Sequence, residues 1–416
     1  MKQSQLPIKT RKENPSDEEA RNAQLLIRAG YIDKLMAGAY SQLPLGLRVI
    51  ENIISIISEE MEELGAKRIL MPALHPKETW DMTGRWEQVE EMYKLQDNSG
   101  SRIALGFTHE EVISQIAKNN IESYKDLPFS LYQVQTKFRD EERPKSGLLR
   151  GREFTMKDLY SFHESQVSLN DFYERAKEVY FKIYDKVGVG EKTFLTFADG
   201  GSFSKYSHEF QTISPVGEDT IYLCKECEVA VNEEIIDEQE HCPQCNQEEA
   251  FETHSAIEVG NIFKLGTKFS EPIDLNYKTQ EDEVKNVIMA SYGIGVERLM
   301  GSIVEVSHDD RGIIWPQSVA PFDAHLLVIG ESTERKLKEG QKVYKKLSNA
   351  GLEILFDDRN VSPGQKFSEA DLMGMPYRLV VSENTIEQNK IEIKRRDDKK
   401  EKLVDLSKAK EIIQMK

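Results

Sequence analysis

Between Leu45 and Leu64, apolar residues recur at Val49, Ile53, Ile56 and Ile57 with polar and charged positions between them. That spacing predicts one amphipathic helix, stopped at Gly65 and followed by the strand-like run "RILMP". Farther along, "FSLYQVQTKF" and "GREFTMKDLYSF" read as strands rich in β-branched and aromatic residues, and "DEERPKSGLL" reads as a loop between them. The pair predicts an antiparallel hairpin with a heavily charged connection. Past Pro321 the pattern changes. The short apolar runs "AHLLVIG", "LEILFDD" and "YRLVVS" alternate with helical stretches, and "KIEIKRR" follows. Strands alternating with helices predict a separate α/β domain of about one hundred residues.

A chain of 416 residues is too long for one core and suits two or three domains. Its apolar content of 39% is ample for packing. No run approaches the roughly 18 consecutive apolar residues of a membrane span, so a membrane partner is not expected. The first twenty residues mix basic and acidic positions and hold no apolar stretch that would mark a secretory signal or transit peptide. The expected location is therefore cytoplasmic. A net charge of −17 argues at first against nucleic acid, yet residues 321–416 hold 19 Lys and Arg against 17 Asp and Glu. Phosphate contacts need only a local positive face, and Lys394, Arg395 and Arg396 offer one candidate. A solvated charge run is the plain alternative for that triplet.

All four cysteines fall in "CKECEVAVNEEIIDEQEHCPQC", spaced C-x2-C-x14-C-x2-C at Cys224, Cys227, Cys242 and Cys245. Two such knuckles can present four thiolates tetrahedrally to Zn2+, which would make a closed, structural site with His241 a bystander. The alternatives are a pair of disulfides or unligated thiols.

The charged hairpin supplies arginines, carboxylates and an aromatic ring close together. Those are the types that ATP needs: planar forks for phosphate, a ring for the purine, and carboxylates for its amine or for Mg2+. A salt-bridged surface hairpin would have the same composition. What decides is resemblance. "FRDE" followed by "RGREF" resembles motif 2 of the class II aminoacyl-tRNA synthetases. "SYGIGVERLMGSI" is similar to motif 3, and "AYSQLPLGLRVIENIISIISEEMEELGAKRILMPALHP" to motif 1, the helix, strand and proline of a dimer interface. Within that class, "RAGYIDKLMAGAYSQLPLGLRV", "GRWEQ", "FTHEEVI", "REFTMKDLYSFH", "SHEFQ", "IEVGNIFKLGTKFS" and "RGIIWPQSVAPF" resemble bacterial-type prolyl-tRNA synthetases along nearly the whole chain.

The resemblance implies an α+β fold: an antiparallel-sheet catalytic core, a small cysteine-rich insertion and a C-terminal α/β anticodon-binding domain. The expected divisions are 1–220 and 251–319 for the core, 221–250 for the insertion, and 320–416 for the anticodon domain. It also implies a ligase that activates L-proline with ATP and transfers it to tRNA(Pro), working as a homodimer through motif 1. Arg139 would bridge the proline carboxylate and the ATP α-phosphate. Arg150 and Arg298 would bind the γ-phosphate end, Phe154 and Arg298 would enclose adenine, and Glu141 would meet its amine. Glu209 and Gln211 would serve Mg2+ and the nucleotide. Thr108 and Glu110 would receive the secondary ammonium of proline, although Thr108 and Glu111 equally fit a helix capping box. Trp80, His163 and Ser291 would line the ring pocket, with a core position the alternative for Trp80 and His163.

Three departures stand out. Ser291 occupies a position where many relatives have cysteine, and "GSFSKYSHEF" replaces a glycine-rich run. The space where bacterial relatives carry a large editing insertion holds only the cysteine segment. Other readings are a different class IIa enzyme, such as the threonyl one, or a synthetase-like RNA-binding protein without catalysis.

Overall fold

The charged hairpin forms as its pattern predicts, pairing from Phe129 opposite Phe162 to Phe138 opposite Glu153. The computed structural model describes residues 1–142, 144, 146–201, 203–239, 241–247, 251–330 and 334–415. Arg143 and Lys145 of the charged loop and Ser202 of "GSFSKYSHEF" lie outside the described residues. The chain divides into two compact units. One comprises Met36–Ala39 and Ile54–Ser302, the other Met1–Leu35, Tyr40–Ile53 and Ile303–Lys416.

The first unit is built on a sheet of β1 (Lys67–Arg68), β2 (Phe129–Phe138), β3 (Glu153–His163), β4 (Thr193–Asp199), β5 (Tyr206–Ile213), β6 (Asp219–Cys224), β7 (Ala230–Asn232), β8 (Phe251–Gly266) and β9 (Ile288–Gly295). Their spatial order is β5-β4-β7-β6-β8-β9-β3-β2-β1, and β5 also pairs with β8. Neighbours are antiparallel except β1 with β2 and β7 with β4. The long β8 therefore borders β6, β5 and β9, and so gathers residues from distant parts of the sequence.

β3 is buried along both faces from Lys157 to His163. One face packs under the helix Gln166–Val187, where the Lys157 ammonium donates to Tyr180 Oη at 2.5 Å and to the Tyr292 carbonyl at 3.2 Å. The other meets a core of Ile113, Tyr160, Phe162, Leu265 and Met289. Strand alternation then turns Asp158 away from Lys157, toward the side where the cavities lie.

The helix expected from Leu45 runs over Pro44–Glu63. The strand expected at "RILMP" is shorter and earlier, only Lys67–Arg68. Beyond it the Ile69 N–H still bonds the Tyr132 carbonyl at 2.8 Å, and side chains then take over: Gln133 Oε1 accepts from the Met71 N–H at 3.0 Å, and Gln135 Nε2 donates to the Met71 carbonyl at 2.8 Å. Val49, Ile53, Ile57 and Met61 of the helix are fully buried within this single chain. A surplus of apolar surface on that helix is thus no argument for a second copy.

In the second unit, β10 (Ala324–Val328), β11 (Ile354–Asp357), β12 (Tyr377–Val381), β13 (Ile391–Arg395) and β14 (Lys402–Val404) form a sheet ordered β11-β10-β12-β13-β14. The first three are parallel and the last two antiparallel. Leu326, Phe356, Leu379 and Ile393 of the sheet share a core with Leu347 and Ile413 of the helices Glu334–Asn349 and Leu406–Gln414. This is the α/β arrangement read from the pattern past Pro321. Among the described residues, no helix is long and apolar enough to cross a membrane.

Candidate active site

β2 ends at Phe138, and the next residue, Arg139, is held by a backbone bond from its N–H to the Arg152 carbonyl at 2.9 Å. Its guanidinium lies 4.7 Å from the Phe107 ring centre and 5.3 Å from that of Phe154, and its Nε is buried without a protein partner. Burial, and then the nearby Arg298, push its pKa below the usual value. Arginine stays cationic under such a shift, so Arg139 is a desolvated positive charge awaiting an anion.

Two cavities meet at this residue. The first, about 340 Å3, is walled by Thr108, Glu110, Asp158, Tyr160, Ser291 and Arg139 among others. Thr108 Oγ1 donates to Glu110 Oε2 at 2.5 Å. The helix Glu110–Lys118 begins at His109 with no side-chain cap, so the Thr108–Glu111 capping box does not form. Glu111 turns away instead and accepts from Thr83 Oγ1 at 2.8 Å and Arg85 Nη1 at 3.0 Å. Arg85 Nη1 lies 3.7 Å from Glu110 Oε2, with the rings of Trp80, Phe203 and Phe269 around its guanidinium.

Behind this wall is a buried polar network. The Lys137 ammonium sits 2.6 Å from His109 Nδ1 and 2.9 Å from Asp158 Oδ1, while Gln133 Nε2 and Tyr160 Oη donate to Asp158 Oδ2 at 3.0 and 2.9 Å. Burial and Lys137 push the His109 pKa down to about 2, so the neutral ring accepts at Nδ1 and donates from Nε2 to the Pro72 carbonyl at 3.1 Å. The network fixes the Thr108–Glu110 segment from below.

Trp80 and His163 do not line this cavity. Trp80 is fully buried and packs with Trp86, Met92 and Ala104. His163, at the end of β3, has Nδ1 2.9 Å from Ser168 Oγ and its ring 5.6 Å from that of Phe172. Both take the core positions that isolated His and Trp usually take.

The second cavity is bounded by Arg139, Glu141, Arg150, Phe154, Arg298 and Glu258 together with backbone of Gly293 and Gly295. A Cβ at Gly293 would come within 2.9 Å of Asn261 Oδ1, so a larger residue there would have to displace the Asn261 side chain that borders the cavity. Arg150 Nε donates to Glu141 Oε2 at 2.8 Å, and Arg298 bonds Glu258 Oε2 at 2.7 Å and the Leu149 carbonyl at 2.8 Å. Arg139, Arg150 and Arg298 also border an adjoining space together with Glu218, Asp219 and Glu258, with Arg150 3.6 Å from Glu218. Gln211 stands one hydrogen bond behind that wall and Glu209 two. Gln211 Nε2 donates to Asp219 Oδ2 at 2.7 Å and to Glu209 Oε2 at 2.9 Å, and Asn232 Nδ2 donates to the same Glu209 oxygen at 3.2 Å. Burial and the neighbouring Glu258 push the Glu209 pKa up to about 8, the state of a carboxyl short of positive charge.

The four cysteines converge: their sulfurs all lie within 4.8 Å of one another, the only such cluster of three or more metal-ligand side chains among the described residues. Cys224 and Cys245 Sγ are 3.6 Å apart, as are Cys227 and Cys242. A disulfide would need about 2.0 Å. Tetrahedral Zn2+ with bonds of about 2.3 Å sets ligand sulfurs about 3.8 Å apart, close to the spacing found.

The basic triplet does not form one face. Arg396 is 5% exposed and makes a two-pronged pair with Asp309 at 2.8 and 2.6 Å, so it is a structural cation. Arg395 is exposed and pairs with Asp397 at 2.8 Å, and Lys394 points to the other side of β13 opposite Arg378.

Glu258, Asp219, Asp158, Lys137 and Arg85 were not singled out from sequence. Glu258 lies inside "IEVGN", a quoted signature, and that was its available signal. Arg85 lies inside "GRWEQ" and Asp158 inside "REFTMKDLYSFH" in the same way, while Asp219 and Lys137 acquire meaning only from strand register.

Residues 93–307 match the family described as tRNA synthetase class II core domain (G, H, P, S and T), and residues 323–416 match the anticodon binding domain. The proline–tRNA ligase of Persephonella marina is 33% identical, with 98% of each chain covered, and that of Staphylococcus haemolyticus is 33% identical, with 93% of this chain and 94% of the relative covered. The first alignment spans 559 positions against 416 residues here, so the relative has well over one hundred positions that this chain lacks. In fold, the chain is similar to a prolyl-tRNA synthetase from Cryptosporidium parvum complexed with L-proline and AMP. The TM-score is 0.77 at 18% identity, covering 94% of this chain and 73% of the other.

Proposed function

Because this chain belongs to the class II aminoacyl-tRNA synthetases, and within them to the proline–tRNA ligases, we propose that its two adjoining cavities hold L-proline and ATP. The observation that carries the assignment is the position of Arg139 on the wall of both. Thr108 and Glu110 receive the secondary ammonium of proline, which directs the carboxylate to Arg139, while Ser291 borders the ring. Phe154 and Arg298 hold adenine, Glu141 accepts from its amine, and Arg150 and Arg298 take the outer phosphates. A proline carboxylate oxygen then attacks the α-phosphorus, and the bond to the bridging oxygen breaks with its electron pair leaving on pyrophosphate. Negative charge grows on the α-phosphate oxygens, where a desolvated guanidinium already fixed in place stabilises it most. Holding both reactants in line supplies the rest. The 3' hydroxyl of tRNA(Pro) next attacks the acyl carbon, the bond from that carbon to the phosphate oxygen breaks, and AMP leaves with the electron pair while the hydroxyl proton passes to its phosphate, with residues 320–416 holding the anticodon arm. Lys394 and Arg395 are left as candidates for phosphate contact, and Arg396 is withdrawn from that role.

Mg2+ usually needs only one or two carboxylates besides the phosphates, and Asp219 and Glu258 on that wall would supply them, with Gln211 and Glu209 behind them. When bound it would neutralise phosphate charge. Pyrophosphate exchange measured with each amino acid in turn tests the whole reading, since proline alone should support rapid exchange. No exchange, with tRNA still bound, would instead favour an RNA-binding protein without catalysis, against which the convergence of Arg139, Arg150 and Arg298 already speaks.

Three expectations follow from this reading. The purified protein carries about one Zn2+ per chain on Cys224, Cys227, Cys242 and Cys245; elemental analysis without metal, and thiols that titrate freely in the native protein, would count against it. It is a cytoplasmic homodimer through the motif 1 region, where Leu70 and Leu74 downstream of the helix are 73% and 58% exposed; a monomeric mass at micromolar concentration with full activity would end that idea. It also leaves alanyl-tRNA(Pro) intact. Alanine enters any pocket that takes proline, and each missing methylene is worth only about 1–3 kcal/mol of discrimination, so some alanine is attached. Fewer than fifty residues separate Gln211 from Ile257, and β6, β7 and the cysteine cluster occupy that interval. No room remains there for a second pocket with its own core. Deacylation of preformed alanyl-tRNA well above the buffer rate would show an editing site elsewhere.

A further inference from the structure

The cysteine cluster sits on the elements that carry the acidic residues of the second cavity. Cys224 is the last residue of β6, and Asp219 is its first. The strands β6 and β7 form a hairpin, with Ile221 opposite Asn232 and Leu223 opposite Ala230, and Cys224 and Cys227 lie at its tip. At the other end of the same hairpin, Asp219 accepts from Gln211 and Asn232 donates to Glu209. Cys242 and Cys245 belong to the segment that leads into β8, the strand bearing Glu258. Cys224 pairs with Phe251, and Asp219 pairs with Ala256, two residues before Glu258.

A metal held by all four thiols would therefore clip the tip of the hairpin to the start of β8, about 17 Å along the strand from the acidic cluster. The register is also held by the ladder from Asp219 opposite Ala256 to Cys224 opposite Phe251 and by the Lys225–Glu252 pair at 2.9 Å, but apolar packing adds little to it. The local core is small: Ile221, Ala230 and Ala256 buried, with Ile213 and Leu223 packed partly against them. A slip of one residue between β6 and β8 would send Asp219 to the opposite face from Glu258. Asn232 adds a second link, because its Oδ1 accepts from the Glu234 N–H at 3.2 Å while its Nδ2 holds Glu209.

We propose that the four-cysteine cluster, with Asn232, is a positioning device for the nucleotide side of the site. When loaded, it fixes the strand register that brings Asp219, Glu209 and Glu258 together, and it leaves the amino-acid cavity untouched. The inference rests on the reading of the second cavity as the ATP and Mg2+ site. It concerns positioning only, because four thiolates fill a tetrahedral shell and leave no open place for substrate.

The test compares native protein with chelator-treated protein and with the Cys242→Ser and Asn232→Ala variants. Zn2+ content is measured by elemental analysis, ATP binding by calorimetry at several Mg2+ concentrations, and KM for ATP and for proline by pyrophosphate exchange. Loss of supports around metal ligands typically costs about 10- to 100-fold. The metal-free forms should show at least about a tenfold weaker ATP affinity, with the proline KM within about threefold of native and recovery on adding Zn2+. Asn232→Ala should keep its Zn2+ and still raise the KM for ATP and the Mg2+ requirement, which separates positioning from mere folding. Hydrogen exchange should quicken in 219–232 and 251–258 of the metal-free protein and stay slow in β2 and β3. Verified metal-free protein with native ATP affinity would overturn the inference, and so would equal losses for ATP and proline. Native protein that exchanges pyrophosphate with no amino acid would instead overturn the assignment of function, so the two failures are distinguishable.

Discussion

Replacing Arg139 with alanine lowers proline-dependent pyrophosphate exchange by at least about two to three orders of magnitude, the loss expected when a preorganised charge donor is removed from a transition state. The fold should survive. The guanidinium stands between the Phe107 and Phe154 rings, its Nε has no protein partner, and the backbone bond to Arg152 does not depend on the side chain. Two neighbouring rings remain to cover the space. Arg139→Lys should recover little, because an ammonium on a flexible stem offers a point charge where a planar fork spans two anions. The loss should fall on kcat as well as on KM, since the charge it meets is greatest in the transition state. A folded Arg139→Ala protein with near-native exchange would remove the central assignment and with it the joining of the two cavities.

Changing Glu110 to glutamine should cripple use of proline while sparing ATP. Glu110 is 3% exposed and already takes the Thr108 hydroxyl, so a carboxylate is held in place before any amine arrives. Glutamine preserves volume and the hydrogen bond but leaves a buried secondary ammonium without its counter-charge. Breaking one side of a buried charge pair costs about 2–5 kcal/mol, or roughly 30- to several-thousand-fold in kcat/KM for proline. Arg85 remains neutralised by Glu111 at 3.0 Å, so the pocket should not collapse. The measurement is exchange at varied proline and at varied ATP with the same preparation. An unchanged proline KM, or an equal rise for both substrates, would show that the ammonium lies elsewhere.

Local signals were enough wherever the chain's own period decided the structure. The hairpin of β2 and β3, the helix Pro44–Glu63 and the alternating elements past Pro321 are written in spacing that a few neighbouring residues share, and hydrophobic burial enforces each of them. The cysteines were legible for the same reason, since a metal's demand for pairs of ligands imposes a short spacing. Resemblance supplied Arg139, Arg150, Arg298, Thr108 and Glu110, and these line the cavities.

Other features depend on partners far along the chain, and no local pattern contains them. Arg396 looked like a free cation in a basic run until the fold set Asp309 against it. Trp80 and His163 carry the right chemistry for a pocket wall, but packing drew both into the core. Glu258 and Asp219 face one cavity because β8 lies beside β5 and β6 at a particular register, and a shift of one residue would reverse their faces. The sequence by itself determined the elements, the paired spacing of the cysteines and the arginines that line the cavities, because each rests on residues close together or on a motif read whole. Tertiary structure alone decided which charges are buried in pairs and which are left facing a cavity, because desolvation and strand register are properties of neighbours that the chain brings together only when folded.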